Sequence, residues 1–251
     1  MWDNISLEKC ESFIKSHVHP KNKDTSGTSI GTSIKPAITI SRAEGAGGLT
    51  VASNLAEYLQ VHVPSHDVWT VFSQHLVAKV LEEHHLHKRI GDFMKEGHKG
   101  MLTDAVEELL GLHPSTWTLV EQTNATILRL AQIGNVILVG RGANVVTSEL
   151  QTVFHVHLVG SLEKRIGQAQ KVFGLDRKSA INYIKKKDEG RRRYLKDNFD
   201  KDINDPLLYH VIINTDLVRH DEAARLIGDE VIRRFKLDRP VKATGSGSHL
   251  T

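Results

Sequence analysis

The sequence of 251 residues contains one cysteine, few aromatic residues and no long apolar run. The single Cys10 excludes an intramolecular disulfide and any metal site built from several cysteines. No apolar run approaches the roughly 18–20 residues that a transmembrane helix requires, so we expect no membrane-spanning segment. The first residues also lack the apolar core of a secretory signal peptide. Together these absences predict a cytoplasmic protein.

Positive charge is concentrated in one segment of an otherwise balanced chain. The formal net charge is only +3, yet residues 185–196 contain seven basic and two acidic residues. Such a run is most often a solvated helix face, and nucleic-acid binding is a further interpretation. Aromatic residues, which would stack on bases, make up only 6% of the sequence, and acids interrupt the run. We therefore do not expect nucleic acid as a partner, and no feature indicates an oligomeric state.

Composition divides the chain into a folded body and two terminal segments. Residues 1–35 are predicted to form a peripheral N-terminal segment with a flexible connector, because residues 21–33 are rich in Lys, Asn, Ser, Thr and Gly. Residues 238–251 end in a Gly- and Ser-rich stretch and are predicted to form a flexible tail. The folded body is expected over residues 36–237.

Short apolar runs alternate with longer segments of helical period along this body. The strand candidates are residues 37–40, 61–63, 136–139, 153–159 and 210–213. Helical patterns cover residues 51–59, 67–81, 114–133, 162–173, 177–198 and 221–235. Residues 136–139 are apolar at every position, as is typical of a central parallel strand. This alternation predicts an α/β fold with a parallel sheet of about five strands wrapped by helices.

The loop that follows the first strand carries three glycines within four residues, Gly45, Gly47 and Gly48. Such a loop is suited to bind phosphate, because bare backbone amides and the positive end of the following helix dipole attract an anion. A tight strand-to-helix turn without a ligand is the alternative interpretation.

This loop lacks the lysine of the usual phosphate loop, which ends in Gly-Lys-Ser/Thr. Gly48 occupies the place of that lysine, and Thr50 follows two residues later. The missing lysine argues against catalysis, since it normally reaches the β- and γ-phosphates. Arg42 and the basic segment near Arg191 are the candidates to supply this charge.

Several motifs occur in the same order as in a known family. Ile-Ser-Arg and Gly-x-Gly-Gly lie at 40–48, Val-Gly-Arg-Gly-Ala at 139–143, and Leu-x-x-Ser-Leu-Glu-Lys-Arg at 158–165. Asp-x-x-Arg-x-x-Tyr follows at 188–194, and Asp-Pro-x-x-Tyr with Ile-Asn-Thr at 205–215. With these motifs the chain resembles the cytidylate kinase-like family, a branch of the P-loop kinases. Leu49 departs from that family, in which many members carry arginine there, and Val139 replaces an acidic residue of the related cytidylate kinases.

The resemblance implies a P-loop NTPase-like three-layer sandwich that binds ATP and Mg²⁺ and phosphorylates a small nucleotide such as CMP. The donor phosphates would lie on Gly45, Ala46, Gly47, Gly48, Leu49 and Thr50. Thr50 would either ligate Mg²⁺ or only complete the first helical turn. Arg141 would hold the acceptor phosphate, and Arg42 would add positive charge. Asp67 would contact the acceptor or a metal, or else cap a helix.

The resemblance also implies a helical lid over residues 174–200 that closes its arginines over the donor. The residues expected to take part are Arg165, Asp188, Arg191 and Tyr194. The last three share one helical face because of their i, i+3, i+6 spacing. Arg191 and Arg192 would neutralise charge that develops during transfer, although Arg192 lies off that face.

Other interpretations remain open at this point. A nucleotide-binding sensor or regulatory domain without turnover also fits, because Gly48 replaces the lysine. A helical insertion is expected at residues 86–114, between the second and third strands, where it would cover the acceptor. His84, His85 and His87 cluster, but they lack the spacing of known metal sites, so we expect no structural metal.

Overall fold

Five parallel β-strands organise the part of the chain that the computed structural model describes, namely residues 10, 12–13, 34–64, 67–73, 116–140 and 142–238. For residues 116–119 the description covers the backbone alone. The strands are β1 (Ala37–Arg42), β2 (Thr70–Ser73), β3 (Val136–Val139), β4 (Val153–Val159) and β5 (Val211–Asn214). They lie in the order β2-β3-β1-β4-β5, so β1 is central and all carboxyl ends meet at one edge.

Helices connect the strands and cover the sheet. The first, α1 (Gly48–His62), follows β1 directly after a five-residue loop at 43–47. The others are α2 (Thr116–Ile133), α3 (Ala143–Val146), α4 (Leu162–Phe173), α5 (Arg177–Phe199) and α6 (His220–Phe235), with a short 3-10 helix at Pro206–Leu208.

Both faces of the sheet are buried, as its apolar strands predict. On one face, Ile40 of β1 packs with Leu55 of α1 and Ile227 of α6. On the other face, Leu138 of β3 packs with Ile127 of α2. Burial of each such side chain contributes about 1.5–3 kcal/mol to stability. The predicted three-layer α/β sandwich is confirmed.

The α4 and α5 helices form a hairpin with a small core of its own. Ile166 of α4 packs against Ala180 and Ile184 of α5, in a cluster separate from the two at the sheet. Asp176 caps α5 by accepting a hydrogen bond from the Ser179 amide at 2.8 Å. Helix α5 of this hairpin covers most of residues 174–200, for which the resemblance implies a lid; we call it the lid helix, and its closing role stays a prediction.

The second strand lies later in the chain than the sequence predicts. The β-branched run at residues 61–63 predicts a strand, but α1 extends to His62, and Val61 is 79% exposed. The strand is Thr70–Ser73, within residues 67–81, for which the helical period predicts a helix. The strand has only four residues, too few for its alternation to be distinguished from a helical period.

Part of the N-terminal segment contributes to the core. Cys10 and Phe13 are buried, and the Phe13 ring lies 5.7 Å from the ring of Phe72 in β2, centroid to centroid. Cys10 and Phe13 therefore belong to the core, although the segment 1–35 is predicted to be peripheral.

Other predictions fall on residues that the structure does not describe. These are the insertion at 86–114, the histidines at 84–87 and the tail after Asp238. Among the helices that it does describe, none has the length and apolar character needed to cross a membrane.

Candidate active site

A cleft opens at the carboxyl edge of the sheet, where parallel α/β sheets hold their ligands. Its volume is about 480 Å³, and it lies between the ends of β1, β2 and β3 and the lid helix α5. The sheet side is lined by Ser41, Arg42, Ser73, Gly140 and Gly142, and the lid side by Tyr183, Lys186, Lys187, Arg191 and Tyr194. The cleft thus brings the loop after β1 and the lid together.

The loop at residues 43–47 joins β1 to α1 with two glycines in the left-handed conformation. Gly45 has a φ of 82° and Gly47 a φ of 80°, angles that residues with side chains rarely adopt. The α1 helix begins directly afterwards at Gly48, and no described side chain caps it. The amides of its first turn and the positive end of its dipole are therefore arranged as in phosphate-binding helices.

Packing also requires glycine at both positions. A Cβ atom on Gly45 would lie 2.7 Å from the carbonyl oxygen of Arg165, and one on Gly47 would overlap the His220 ring. These contacts explain the two glycines whether the loop is a simple turn or a phosphate cradle. The charge of the cleft beside the loop is what favours the cradle.

Positive charge predominates among the described residues that line the cleft. Four of these side chains are basic and one is acidic, namely Arg42, Lys186, Lys187 and Arg191 against Glu44. An excess of one charge in a concave site concentrates ligands of opposite charge. The cleft is therefore suited to an anion such as a polyphosphate.

The Arg42 side chain crosses the start of α1. A Cβ atom added to Gly48 would lie 2.9 Å from Cγ of Arg42 and 3.2 Å from its Cδ. A Cβ atom added to Gly140, just after β3, would overlap Nη1 of the same arginine. The side chain thus passes over Gly48 and ends beside the carboxyl end of β3, in the cleft.

Four charged residues, Glu44, Arg165, Asp188 and Arg191, join the loop to the lid, and we call them the loop–lid network. Asp188 accepts a hydrogen bond from the Glu44 amide at 2.8 Å and pairs with Arg165 at 2.6 Å and Arg191 at 2.9 Å. Arg191 also lies 2.7 Å from the Glu44 carboxylate, and Arg165 donates to the Glu44 carbonyl at 3.1 Å. The four side chains are only 14% to 24% exposed.

Hydrogen bonds keep Asp188 ionised within this network. Burial by itself would raise the pKa of Asp188, but the Glu44 amide and the guanidinium groups of Arg191 and Arg165 outweigh burial and lower the pKa. The carboxylate therefore holds both arginines beside the loop at neutral pH. Nε of Arg191 is buried and makes no hydrogen bond to a described residue, which is uncommon for a buried donor.

The structure separates two lid arginines that the resemblance groups together. Arg191 and Tyr194 line the cleft. Arg192 instead pairs with Glu189, is 53% exposed, and is not among the described lining residues. One residue along a helix turns the side chain by roughly 100°, which explains the difference. This placement corrects the expectation that Arg192 neutralises charge on the donor.

Asp67 lies at the opposite edge of the sheet. It precedes β2 and pairs at 2.6 Å with Lys35, which precedes β1. Because the strands are parallel, their starts lie at the amino edge, away from the cleft. This placement corrects the expectation that Asp67 contacts an acceptor, and the strand that follows it excludes the helix-cap interpretation.

Three further candidates differ in how the structure describes them. Leu49 and Thr50 are exposed in the first turn of α1; Leu49 lines the cleft, whereas Thr50 is not among its described lining residues. Arg141 lies outside the described residues, although Gly140 and Gly142 on either side of it line the cleft. The metal role of Thr50 and the acceptor role of Arg141 stay predictions.

Two buried histidines of β4 lie beside polar residues of β1. Nδ1 of His155 is 2.9 Å from the Thr39 hydroxyl. His157 stacks on Tyr209, whose hydroxyl lies 3.4 Å from that of Ser41. Burial lowers the pKa of both histidines to about 4, so both are neutral at pH 7. They therefore add no positive charge beside the cleft.

Some cleft residues are missing from the sequence prediction for identifiable reasons. Glu44 carries no local signal, since its partner Asp188 is 144 residues away. Ser73 is missed because β2 is misplaced. Lys187 lies four residues before Arg191, so helical spacing within the basic run would have located it. In the described parts of the chain, no three His, Cys, Asp or Glu side chains are grouped so as to hold a metal ion.

A family model described as the cytidylate kinase-like family matches residues 37–217, more than half of the chain. The chain belongs to this family. The match includes the glycine loop, the strands that border the cleft and the lid helices, and it confirms the resemblance predicted from the motifs. Membership in the family supports a nucleotide kinase-like function. The search of the curated proteins found no match.

Solved structures of other proteins are similar to this chain. An uncharacterized protein from Eubacterium ventriosum ATCC 27560 is 20% identical with a TM-score of 0.57, over 78% of this chain and 98% of that one. Shikimate kinase from Bacteroides thetaiotaomicron is 17% identical with a TM-score of 0.44, over 79% and 98%. A gluconokinase from Sinorhizobium meliloti 1021 is 14% identical with a TM-score of 0.40, over 81% and 99%. The first of these similarities shows the fold alone.

Proposed function

We propose that this protein transfers the γ-phosphoryl group of ATP to a small acceptor of the nucleoside monophosphate class, such as CMP. The observation that carries the proposal is an uncapped helix start and a glycine loop at the edge of a cleft lined by four basic side chains. Phosphoryl transfer asks the protein mainly for positioning and electrostatic stabilisation. The cleft is suited to both tasks.

The donor would lie on the loop at 43–47 and the first turn of α1. Its phosphate oxygens would accept hydrogen bonds from the backbone amides there, and Arg191 would contact them from the lid. The position of Arg191 in the cleft lining, beside the loop, supports this role.

ATP would bring Mg²⁺ with it, and the residues present fit that arrangement. Magnesium usually binds through one or two protein oxygens, water and the substrate phosphates, so it needs no carboxylate cluster. The Thr50 hydroxyl, in the first turn of α1, is the candidate protein ligand. When bound, the ion would neutralise negative charge on the phosphates.

The lid would exclude water from the reacting groups. The α4–α5 hairpin has its own core, so it can be positioned as a unit. In the structure, Glu44 and Asp188 hold Arg191 at the loop at 2.7 Å and 2.9 Å. Donor phosphates would compete with Glu44 for this arginine and so draw the lid onto the nucleotide.

The described cleft also bears on the class of acceptor. During transfer an acceptor oxygen bonds to the γ-phosphorus, the bond to the bridging oxygen breaks, and ADP leaves with that electron pair. An alcohol acceptor would need a base to take its proton, but Glu44, the carboxylate of the described lining, is ion-paired with Arg191. A monophosphate acceptor carries an ionised oxygen at neutral pH and needs no such base. Arg141 would hold that acceptor.

The test is ADP formation by the purified protein with ATP, MgCl₂ and each of CMP, UMP, AMP and GMP. We expect at least one of these monophosphates to raise the rate of ADP formation above the rate measured without acceptor. Calorimetry with the non-hydrolysable analogue AMP-PNP measures binding separately. Binding without acceptor-dependent ADP formation would favour the sensor interpretation, and absence of binding would overturn both.

A further inference from the structure

The phosphate loop differs from the usual pattern at three positions, and two of them exchange their residue types. In the pattern Gly-x-x-x-x-Gly-Lys-Ser/Thr, the lysine follows the first glycine by six residues. Arg42 and Gly48 have this spacing, and Gly47 stands at the second glycine. A cationic residue therefore occupies the usual glycine position, and glycine occupies the usual cationic position.

The two exchanged positions are in contact in the structure. The Arg42 side chain lies against the Cα atom of Gly48, where a Cβ would be 2.9 Å from Cγ of Arg42. Gly48 is buried, and its neighbour Leu49 turns outward at 54% exposure. On the far side, Gly140 has a φ of 91° and leaves the space that the Arg42 guanidinium fills. The end of β1, the start of α1 and the residue after β3 thus enclose the side chain of one cation, Arg42.

We propose that the Arg42 guanidinium takes the role of the missing lysine and contacts the β- and γ-phosphates of the donor. Gly48 and Gly140 are glycines because Arg42 occupies the space of their side chains. This inference rests on the proposed function and names the residue that supplies the charge at its site.

The chemistry of arginine suits this role. A guanidinium presents planar paired donors that match phosphate oxygens, and it stays protonated at any working pH. It would therefore stabilise charge as the bond from the γ-phosphorus to the bridging oxygen breaks, without transferring a proton. Arg42 ends the central strand, whereas Arg191 is held by Glu44 and Asp188 in the lid. The cation beside the loop is thus carried by the central strand of the sheet.

Single substitutions test the charge. Arg42→Gln keeps part of the stem and removes the charge, and Arg42→Ala removes both. We expect either variant to lower CMP-dependent ADP formation by about 100-fold or more and to weaken Mg·AMP-PNP binding about tenfold. The affinity for AMP, which lacks the β- and γ-phosphates, should stay within about twofold.

Arg193→Ala, which removes an exposed arginine of α5 (72% exposed), is the matched control and should change neither ADP formation nor Mg·AMP-PNP binding. Circular dichroism verifies that each variant is folded.

Paired substitutions test the exchange of positions. Arg42→Gly combined with Gly48→Lys returns glycine and a cationic residue to their usual positions, and we expect it to recover most of the roughly tenfold AMP-PNP affinity lost in Arg42→Gly alone. Gly48→Ala should impair the wild-type protein, since its Cβ displaces Arg42, but should add no further loss in the Arg42→Ala background. This non-additivity is the mark of a direct contact.

The outcomes separate this inference from the proposed function. If the wild-type protein forms ADP and both Arg42 variants match it within twofold, the inference is wrong and the function stands. If no monophosphate supports ADP formation but Arg42→Gln weakens AMP-PNP and not AMP, the function is wrong and the phosphate contact stands. If the wild-type protein binds no AMP-PNP, or if the restored pair recovers no affinity, the inference is overturned.

Discussion

The two edges of the sheet hold ion pairs of different kinds. At the amino edge, Lys35 and Asp67 pair at 2.6 Å with side chains 42% and 33% exposed. At the carboxyl edge, the loop–lid network joins four charged residues whose side chains are 14% to 24% exposed. The residue types are alike, but the second set is shielded from water and bridges two elements that border a cleft.

This difference shows that environment, and not residue type, separates an exposed surface pair from the shielded network beside the cleft. An exposed pair contributes roughly 0–1 kcal/mol because water and salt screen it. The shielded network ties α5 to the loop at residues 43–47 and keeps Asp188 ionised between two arginines. From the sequence alone, Asp67 and Asp188 are both candidates for the site, and only Asp188 contacts residues of the cleft lining, Glu44 and Arg191.

The largest expected difference between the edges is in turnover. Arg191→Ala removes a cation that lines the cleft, so we expect CMP-dependent ADP formation to fall about 100-fold to 1,000-fold. Asp67→Ala removes an acid of the amino edge and should leave the rate within about twofold. Comparable losses in the two variants would contradict the assignment of the carboxyl edge as the site.

A change of pH tests the protonation of the two buried histidines of β4, which lie in the sheet between its two edges. His155 and His157 have pKa values of about 4 when folded, against about 6.5 unfolded. The unfolded chain therefore binds more protons as the pH falls from 6.5 towards 4, and stability decreases over that window. We expect a loss of about 2 kcal/mol per histidine between pH 6.5 and 4.5, measured by urea unfolding.

The His157→Phe variant is the control for this pH dependence, because it keeps an aromatic ring against Tyr209 and removes the titrating group. Its loss of stability between pH 6.5 and 4.5 should be smaller than that of the wild-type protein by the contribution of one histidine. An unchanged pH dependence would show that His157 does not titrate in this way.

The ion pairs of the two edges should also differ, by a smaller amount, in their contribution to the free energy of unfolding. Asp188→Asn leaves Arg165 and Arg191 without their shared counter-charge, so we expect it to lower the free energy of unfolding by about 1.5–3 kcal/mol. Asp67→Asn should cost less than about 1 kcal/mol. Urea unfolding at pH 7.5 measures both, and equal costs would contradict the difference in shielding between the two edges.

The smallest expected effect concerns competition for Arg191 within the network. Glu44→Gln removes the carboxylate that holds Arg191 at 2.7 Å. We expect its affinity for Mg·AMP-PNP to rise about fivefold, which corresponds to about 1 kcal/mol. Glu163→Gln, an exposed acid of α4 paired with Arg177, is the control and should not change the affinity. A weaker affinity in Glu44→Gln would show that Glu44 supports the nucleotide instead of competing with it.

The parts of the fold that could be predicted depend on signals contained in one stretch of sequence. Residues 136–139 and 153–159 are apolar runs of strand length, and both form strands as predicted. The glycine spacing after β1 likewise locates the loop, because positive φ angles and close approach act within a few residues. The short β2 strand carries no such local signal, so the sequence predicts the second strand at residues 61–63. With the strand placed before Asp67 and not after it, Asp67 is assigned to the wrong edge of the sheet.

The contacts that build the site could not be predicted, because they join distant segments. The Glu44 amide and Asp188 are 144 residues apart in the chain, and nothing near either residue indicates the other. The path of Arg42 over Gly48 to Gly140 requires the sheet order that brings β1 beside β3. Spacing showed that Asp188 and Arg191 share a helical face, but not that Glu44 meets them there.

The most direct test of a phosphate cradle at the carboxyl edge is a crystal structure of the protein with Mg·AMP-PNP at saturating concentration. We expect the triphosphate to accept hydrogen bonds from the Gly47 and Gly48 amides, with the Arg42 guanidinium and Arg191 in contact with its terminal phosphates. A nucleotide bound elsewhere, or an empty cleft with those amides turned away from it, would contradict the site.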